Sequence, residues 1–148
     1  MKLTTVLSPE VVKVGLKGTD KNSIIEEMLD TLVAAGKIND RDRALADLLD
    51  RESKMSTGIQ HGIAIPHAKT SAVDSLVACI GIKKEGIDFK SLDGKPSSIF
   101  IMTLSPMYRV GPHVQFLAEI STLIKTESSR KALAAAENAE QVLAVFGM

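Results

Sequence analysis

Three apolar runs of strand length follow one another in the middle of the sequence: GIAIPHA (residues 62–68), SLVACIGIK (75–83) and SSIFIMTL (97–104). Short apolar runs of this kind, separated by segments rich in Gly, Pro, Ser and Asp, are typical of buried β-strands. Three strands in succession are not the strict strand–helix alternation of a doubly wound parallel sheet. They therefore favour a sheet with both parallel and antiparallel neighbours.

Segments with a helical period lie on both sides of these strands. They follow an alternating strand-like run at 11–18, and they cover 19–36, 39–54, 113–126, 128–137 and 138–146. Thr19 or Asp20 can cap the first helix and Asn39 or Asp40 the second, while Gly36 suits a helix end. The predicted core stripe of the first helix is Ile24, Ile25, Met28, Leu29, Leu32 and Val33. The order predicts an α/β fold, with residues 1–148 as a single domain and a mixed parallel and antiparallel sheet flanked by helices.

The composition excludes several classes of protein. The 148 residues carry 18 basic and 18 acidic side chains, and one Tyr with no Trp, which argues against binding to nucleic acid. No apolar run is long enough for a signal peptide or a membrane span, so no direct membrane insertion is expected. The single Cys79 cannot form an internal disulfide, in keeping with a reducing compartment. We therefore expect a cytoplasmic protein.

His67 is the first candidate for a functional residue. It follows Pro66, which should end or edge its strand, so we expect the imidazole just beyond a rigid strand end. Its neighbours Ala64, Ala68 and Gly62 are small, which would leave the ring accessible to a large partner. A partly buried loop histidine bonded to a carbonyl, with no function, explains the same local pattern equally well.

His113 and Arg51 are the other two candidates. His113 follows Pro112 at the start of an apolar helix, where free backbone N–H groups favour anions such as phosphate. Arg51 lies at the end of the second helix, and its planar guanidinium suits phosphate oxygens. Each also has an ordinary interpretation, as a helix-start histidine and as a solvated helix-end cation.

Other chemistries match the sequence poorly. His61, His67, His113 and Cys79 have neither of the common zinc-ligand spacings, so no metal site is expected. The sequence has no GxSxG elbow for a serine hydrolase and no GxxxxGK[ST] loop for a nucleoside triphosphate.

The stretch RESKMSTGIQHGIAIPHAKT (51–70) resembles the histidine motif of the enzyme IIA domains of the bacterial phosphoenolpyruvate-dependent phosphotransferase system, in the fructose/mannitol class. That class includes the nitrogen-regulatory branch. The motif RE, then TGI, then GIAIPH begins at Arg51, Thr57 and Gly62 and ends at His67. The second family histidine, which precedes an apolar helix, falls on His113. The resemblance covers essentially the whole chain.

The resemblance implies a phosphoryl relay without a cofactor or a metal. An HPr-like phosphocarrier protein would phosphorylate His67, and the group would pass to an enzyme IIB partner for fructose- or mannitol-type sugar uptake. His113 would stabilise the phosphoryl group and Arg51 would neutralise its charge. The alternative within the family is a nitrogen-regulatory enzyme IIA, in which phosphorylation of His67 switches binding to a regulatory target protein.

The sequence departs from the family pattern at Gln60 and His61, where most members have a small residue and an Asn or acidic residue. His61 is more simply an exposed loop histidine than a residue with a role. Small apolar residues should form a shallow rim for the carrier protein; the residues expected there are Ile59, Ile63, Ala68 and Met107. Tyr108 and Arg109 in the following loop would contact a partner or cover the sheet edge.

Overall fold

The computed structural model describes residues 3–108 and 111–148, with side chains from Thr5 onward. A 3₁₀ turn at Pro9–Val11 precedes the first strand. The helices and strands are α1 (Leu3–Val6), β1 (Val12–Val14), α2 (Lys21–Ala34), α3 (Arg41–Lys54), β2 (Ile63–Ala64), β3 (His67–Lys69), β4 (Val77–Ile87), β5 (Ser97–Ser105), α4 (Gly111–Ile124), α5 (Glu127–Ala135) and α6 (Ala139–Val145).

The strands form a mixed sheet in the order β1-β4-β5-β2, with β3 also paired to β5. The β1–β4 pair is parallel, and β4 and β5 are antiparallel. Both β2 and β3 run parallel to β5. The prediction of an α/β fold with parallel and antiparallel neighbours is confirmed.

Strand β5 and the first half of β4 are buried on both faces, which explains the apolar runs found there. Every residue of β5 except Ser98 is buried, and so are Ala78–Ile82 of β4. A continuous apolar run of this kind needs a helical layer on each face. Helix α2 packs against α3 and β4, while α5 packs against α6, β4 and β5. The sheet thus forms the middle layer of the core.

The first long helix illustrates how local sequence sets an element's limits. Asp20 is the N-cap: its carboxylate accepts from the backbone N–H of Ser23, and Ser23 Oγ accepts in return from the N–H of Asp20. Gly36 has φ +73°, as a left-handed helix end requires. Five predicted stripe residues are buried, but Val33 is 36% exposed, so its assignment to the core was wrong.

Pro66 separates two short strands at the edge of the sheet, β2 and β3, in keeping with the prediction that it ends or edges its strand. The sequence placed His67 beyond a strand end, whereas the structure places it at the start of β3. Pro66 has no N–H to donate, but its carbonyl accepts from Thr103 N at 3.0 Å and keeps the pairing with β5 intact. The register therefore continues from Ala64↔Phe100 to His67↔Thr103 without a shift. His67 is consequently fixed by the sheet itself.

Candidate functional site

The imidazole of His67 is oriented by a backbone hydrogen bond. Its Nδ1 lies 2.8 Å from the carbonyl oxygen of Ile65. A carbonyl only accepts, so Nδ1 carries the proton and donates, and the neutral ring keeps its lone pair on Nε2. The hydrogen bond to a carbonyl, which we also expected of a histidine without a function, is therefore present. It also selects the tautomer in which Nε2 can act as a nucleophile.

The structure brings the two predicted histidines together. His113 lies in the first turn of α4, as its position after Pro112 predicted. The ring centroids of His67 and His113 are 5.3 Å apart, with the ring planes inclined by 37°. Two histidines that are distant in sequence thus face one small volume at the edge of the sheet.

Arg51 completes the predicted set. It lines the same 420 Å³ cleft as both histidines, together with Lys54 and Lys69. One guanidinium nitrogen, Nη1, donates to the carbonyl of Met55 at 3.0 Å and so caps the end of α3. This hydrogen bond holds the cation at the cleft. Asp47 and Asp50 also line the cleft, so its walls carry both signs of charge.

Both imidazoles are kept neutral by their surroundings. Burial is the main factor that lowers the pKa of His67, and the positive charge of Arg51 lowers it further, against the opposing effects of the Ile65 hydrogen bond and of Glu52. Burial also lowers the pKa of His113, with added contributions from His67 and Lys69. Near neutral pH the site therefore holds a nucleophilic nitrogen beside a second neutral ring.

These pKa shifts predict a loss of stability in weak acid. Below about pH 6.5 the unfolded chain protonates His67 and His113 before the folded chain does, so the free energy of unfolding should fall as pH falls. Above that pH both states are neutral and no such loss occurs. Urea unfolding at about pH 7.5 and about pH 5.5, above the carboxylate range, measures the difference.

The control for this measurement is the His67→Gln/His113→Gln double variant. It lacks both titrating rings, so its free energy of unfolding should change less between the two pH values than that of the wild type. An equal or larger change in the double variant would contradict the pKa directions.

A buried network beneath the site was not assigned a role from the sequence. Glu52 is only 7% exposed. Its carboxylate accepts from the backbone N–H of Thr57 at 2.7 Å and from the Thr57 hydroxyl at 2.6 Å. It also pairs with Lys21 at 2.7 Å, and the Lys21 ammonium lies 5.0 Å from the centre of the Phe89 ring. The motif contained Glu52 and Thr57, but nothing local signalled the distant Lys21.

Within the part of the chain that the structure describes, three buried polar atoms near the two histidines have no hydrogen-bond partner. They are Thr103 Oγ1, Ser105 Oγ and Nδ1 of His113. Thr103 and Ser105 are in register with His67 and Lys69, on the strand beside the site. Because Nδ1 of His113 is buried and His113 lines the cleft, we infer that Nε2 is the ring nitrogen available to a group in the cleft.

The predicted apolar rim is corrected at three of its four positions. Ile63 is 1% and Ala68 6% exposed, because both belong to the core; Ala68 reaches the cleft only as part of its wall. Ile59 is partly buried and lines a different groove. Met107 does line the cleft and is 49% exposed.

His61 and Tyr108 do not line the cleft. His61 is exposed, has φ +61° and lines the same neighbouring groove as Ile59. Tyr108 is exposed, and Arg109 lies outside the described residues.

The described residues contain neither a grouping of metal ligands nor a helix suited to crossing a membrane. Among residues 3–108 and 111–148, no three His, Cys, Asp or Glu side chains are grouped so that they could hold a metal ion. In the same part of the chain, no helix combines the length and the apolar character needed to cross a membrane.

Comparison with known proteins gives consistent matches over most of the chain. Residues 5–147 match the sequence model of the family described as phosphoenolpyruvate-dependent sugar phosphotransferase system, EIIA 2. The chain is 38% identical over 146 residues to the fructose-specific EIIABC component of the phosphotransferase system of Bacillus subtilis, covering 99% of this chain but 23% of that protein. It is 37% identical over 140 residues to the fructose-specific EIIA component of Haloferax volcanii, covering 95% of this chain and 91% of that protein.

A solved structure extends the match to the nitrogen-regulatory branch. The crystal structure of the nitrogen regulatory protein IIA-Ntr from Neisseria meningitidis superposes with a TM-score of 0.83 at 26% identity, covering 96% of this chain and 97% of that one. The family match and the shared fold agree with the resemblance of the histidine motif. The chain belongs to the EIIA 2 family of the phosphoenolpyruvate-dependent sugar phosphotransferase system.

Proposed function

We propose that this protein is a phosphoryl carrier, with residues 1–148 acting as one EIIA unit in the cytoplasm. His67 accepts a phosphoryl group from an HPr-like phosphocarrier protein and passes it to an enzyme IIB partner. The observation that carries this proposal is the hydrogen bond from His67 Nδ1 to the Ile65 carbonyl. It leaves the Nε2 lone pair as the nucleophile, in a cleft shared with His113 and Arg51.

The chemistry requires positioning and charge stabilisation more than acid–base catalysis. The Nε2 lone pair of His67 attacks phosphorus as the bond to the carrier's histidine nitrogen breaks, and that nitrogen leaves with the electron pair. The proton on Nδ1 stays in its bond to the Ile65 carbonyl throughout. His113 donates to a phosphoryl oxygen, and Arg51 offsets the negative charge. The reverse sequence, with the enzyme IIB side chain as nucleophile, discharges the site.

Fructose- or mannitol-type sugar uptake is the role that we propose first for this phosphoryl carrier. The two sugar-system relatives share 38% and 37% of their matched residues with this chain, and the name of the Bacillus protein, EIIABC, joins EIIA with B and C components. The second candidate is a nitrogen-regulatory module, which the match to the Neisseria protein supports. In that case, phosphorylation adds about −1.5 to −2 charges at His67 and switches the binding of a target protein.

A loading and discharge experiment tests the proposal. The protein is incubated with phosphoenolpyruvate, enzyme I and HPr or its nitrogen-branch counterpart. The expected product is an acid-labile, base-stable adduct on the peptide that contains His67. Loaded protein is then mixed with a fructose-type enzyme IIB. Rapid discharge supports sugar uptake, whereas loading only by the nitrogen-branch carrier, without discharge, supports the regulatory alternative. Absence of label on His67 with either carrier would overturn both.

A further inference from the structure

A continuous hydrogen-bond chain leads from the buried Glu52 to the nucleophile. The Glu52 carboxylate accepts hydrogen bonds from the backbone N–H and the hydroxyl of Thr57. The Thr57 carbonyl accepts from the N–H of Ile65 at 3.0 Å. The Ile65 carbonyl in turn accepts from Nδ1 of His67 at 2.8 Å. Each link fixes the peptide group on which the next link depends.

Glu52 is itself held from the opposite side. Lys21, at the start of α2, donates to Glu52 Oε2 at 2.7 Å. The glutamate side chain is 6% and the lysine side chain 20% exposed, so the pair is mostly shielded from water. A shielded ion pair with further hydrogen bonds has a narrow choice of geometries. The first link of the chain is therefore rigid.

The segment between Glu52 and Ile65 is fixed at further points. Ser56 Oγ donates to the carbonyl of Phe89 at 2.7 Å, and Gly58 pairs with Ala64 in an antiparallel bridge. A Cβ on Gly58 would lie 2.5 Å from Oγ and 3.0 Å from Cα of Ser91, so a larger residue here would force Ser91 to shift. Thr57 thus connects α3 to the strand that precedes His67.

We propose that Glu52 is a positioning residue for phosphoryl acceptance: through Thr57 and Ile65 it orients the His67 ring and keeps the proton on Nδ1. This inference rests on the proposed function, because it concerns the same nucleophile. Glu52 does not touch the phosphoryl group. When the carboxylate is removed, the Thr57 peptide loses its anchor, the Ile65 carbonyl shifts, and the His67 ring samples both tautomers and more than one orientation.

The test combines kinetics with a direct measurement of the tautomer. Glu52→Ala and Glu52→Gln are compared with wild type by ¹⁵N NMR of the His67 ring and by the rate of loading from phosphorylated carrier. In Glu52→Ala the loading rate at saturating carrier should fall by up to about 10²-fold, with little change in half-saturation, because a small misplacement of a nucleophile is costly. The ¹⁵N shifts should show proton density moving from Nδ1 to Nε2. In Glu52→Gln the amide oxygen can still accept from Thr57, so both changes should be smaller.

A matched control separates positioning from loss of stability. Val142→Ala removes two methyl groups from a fully buried position on α6, with no link to the hydrogen-bond chain. It should lower stability but leave both the His67 tautomer and the loading rate as in wild type. If Glu52→Ala does not fold, the His67 tautomer and the loading rate of Glu52→Gln decide whether Glu52 positions the ring.

The outcomes distinguish this inference from the proposed function. Wild-type protein that is not labelled on His67 overturns the proposed function and this inference with it. Wild-type labelling, together with a wild-type tautomer and loading rate in the Glu52 variants, overturns the role of Glu52 alone. Tautomer changes of the same size in Val142→Ala would also overturn it, since they would report only general loosening.

Discussion

Replacing His67 by glutamine is expected to abolish loading of the protein by the phosphorylated carrier. The amide side chain has no lone pair of comparable nucleophilicity to attack phosphorus, so no phosphoenzyme can form. The fold should persist, because the side chain is only partly buried and a glutamine N–H can still donate to the Ile65 carbonyl. Label from phosphoenolpyruvate, followed by peptide mapping and urea unfolding, measures both effects.

His61→Gln is the matched control for this experiment. It makes the same chemical change in the same segment, at an exposed position that lines a different groove. Its loading rate should equal that of the wild type. Label that persists in His67→Gln, or label that disappears in His61→Gln, would move the nucleophile away from His67.

The sequence predicted the helices well because their signals are local. Asp20 and Gly36 mark the limits of α2 by short-range hydrogen bonding and backbone conformation, and the structure confirms both. The sequence correctly ended a strand before Pro66 but missed that pairing resumes at His67, because proline removes a donor but leaves a carbonyl. Whether that carbonyl is used depends on a partner strand more than thirty residues away, at Thr103. Periodicity carries no information on such pairing.

The sequence named the residues of the candidate site, but it did not reveal the buried ion pair that supports them. Local features alone left His67, His113 and Arg51 with ordinary interpretations, and it was the resemblance of the histidine motif that selected them. The structure brings all three to one cleft. The Glu52–Lys21 pair escaped prediction because it depends on how α2 packs against α3, which neither helix encodes alone. Ala68 and Ile63 were misplaced for a similar reason, since small and apolar residues are equally suited to a rim and to a core.

Removing either His113 or Arg51 is expected to slow onward transfer of the phosphoryl group without preventing loading. Excess phosphorylated carrier still drives His113→Ala and Arg51→Ala to full occupancy. In the transition state, however, charge spreads over the phosphoryl oxygens, and we expect the Nε2–H of a neutral His113 and the Arg51 guanidinium to stabilise that charge. Loss of one such preorganised donor costs about 10² to 10³ in rate. Rapid-quench discharge of loaded protein to enzyme IIB measures the loss.

Lys54→Ala is the control for charge alone. Lys54 lies on the same helix and lines the same cleft as Arg51, but its side chain is 70% exposed and pairs with Asp50. The Lys54→Ala variant loses one positive charge, just as Arg51→Ala does. A solvated cation stabilises the transition state little, so the discharge rate should stay within about threefold of wild type. If Lys54→Ala were as slow as Arg51→Ala, the rate would depend on net charge and not on a positioned guanidinium.

The double variant His113→Ala/Arg51→Ala tests whether the two residues act on one phosphoryl group. Groups that stabilise the same charge in the same transition state are coupled, so the combined loss should be smaller than the product of the two single losses. Independent action would give the full product. Wild-type discharge rates in both single variants would show that neither residue contacts the phosphoryl group, and His67 would then rely on backbone donors of the α4 N-terminus and on its partners.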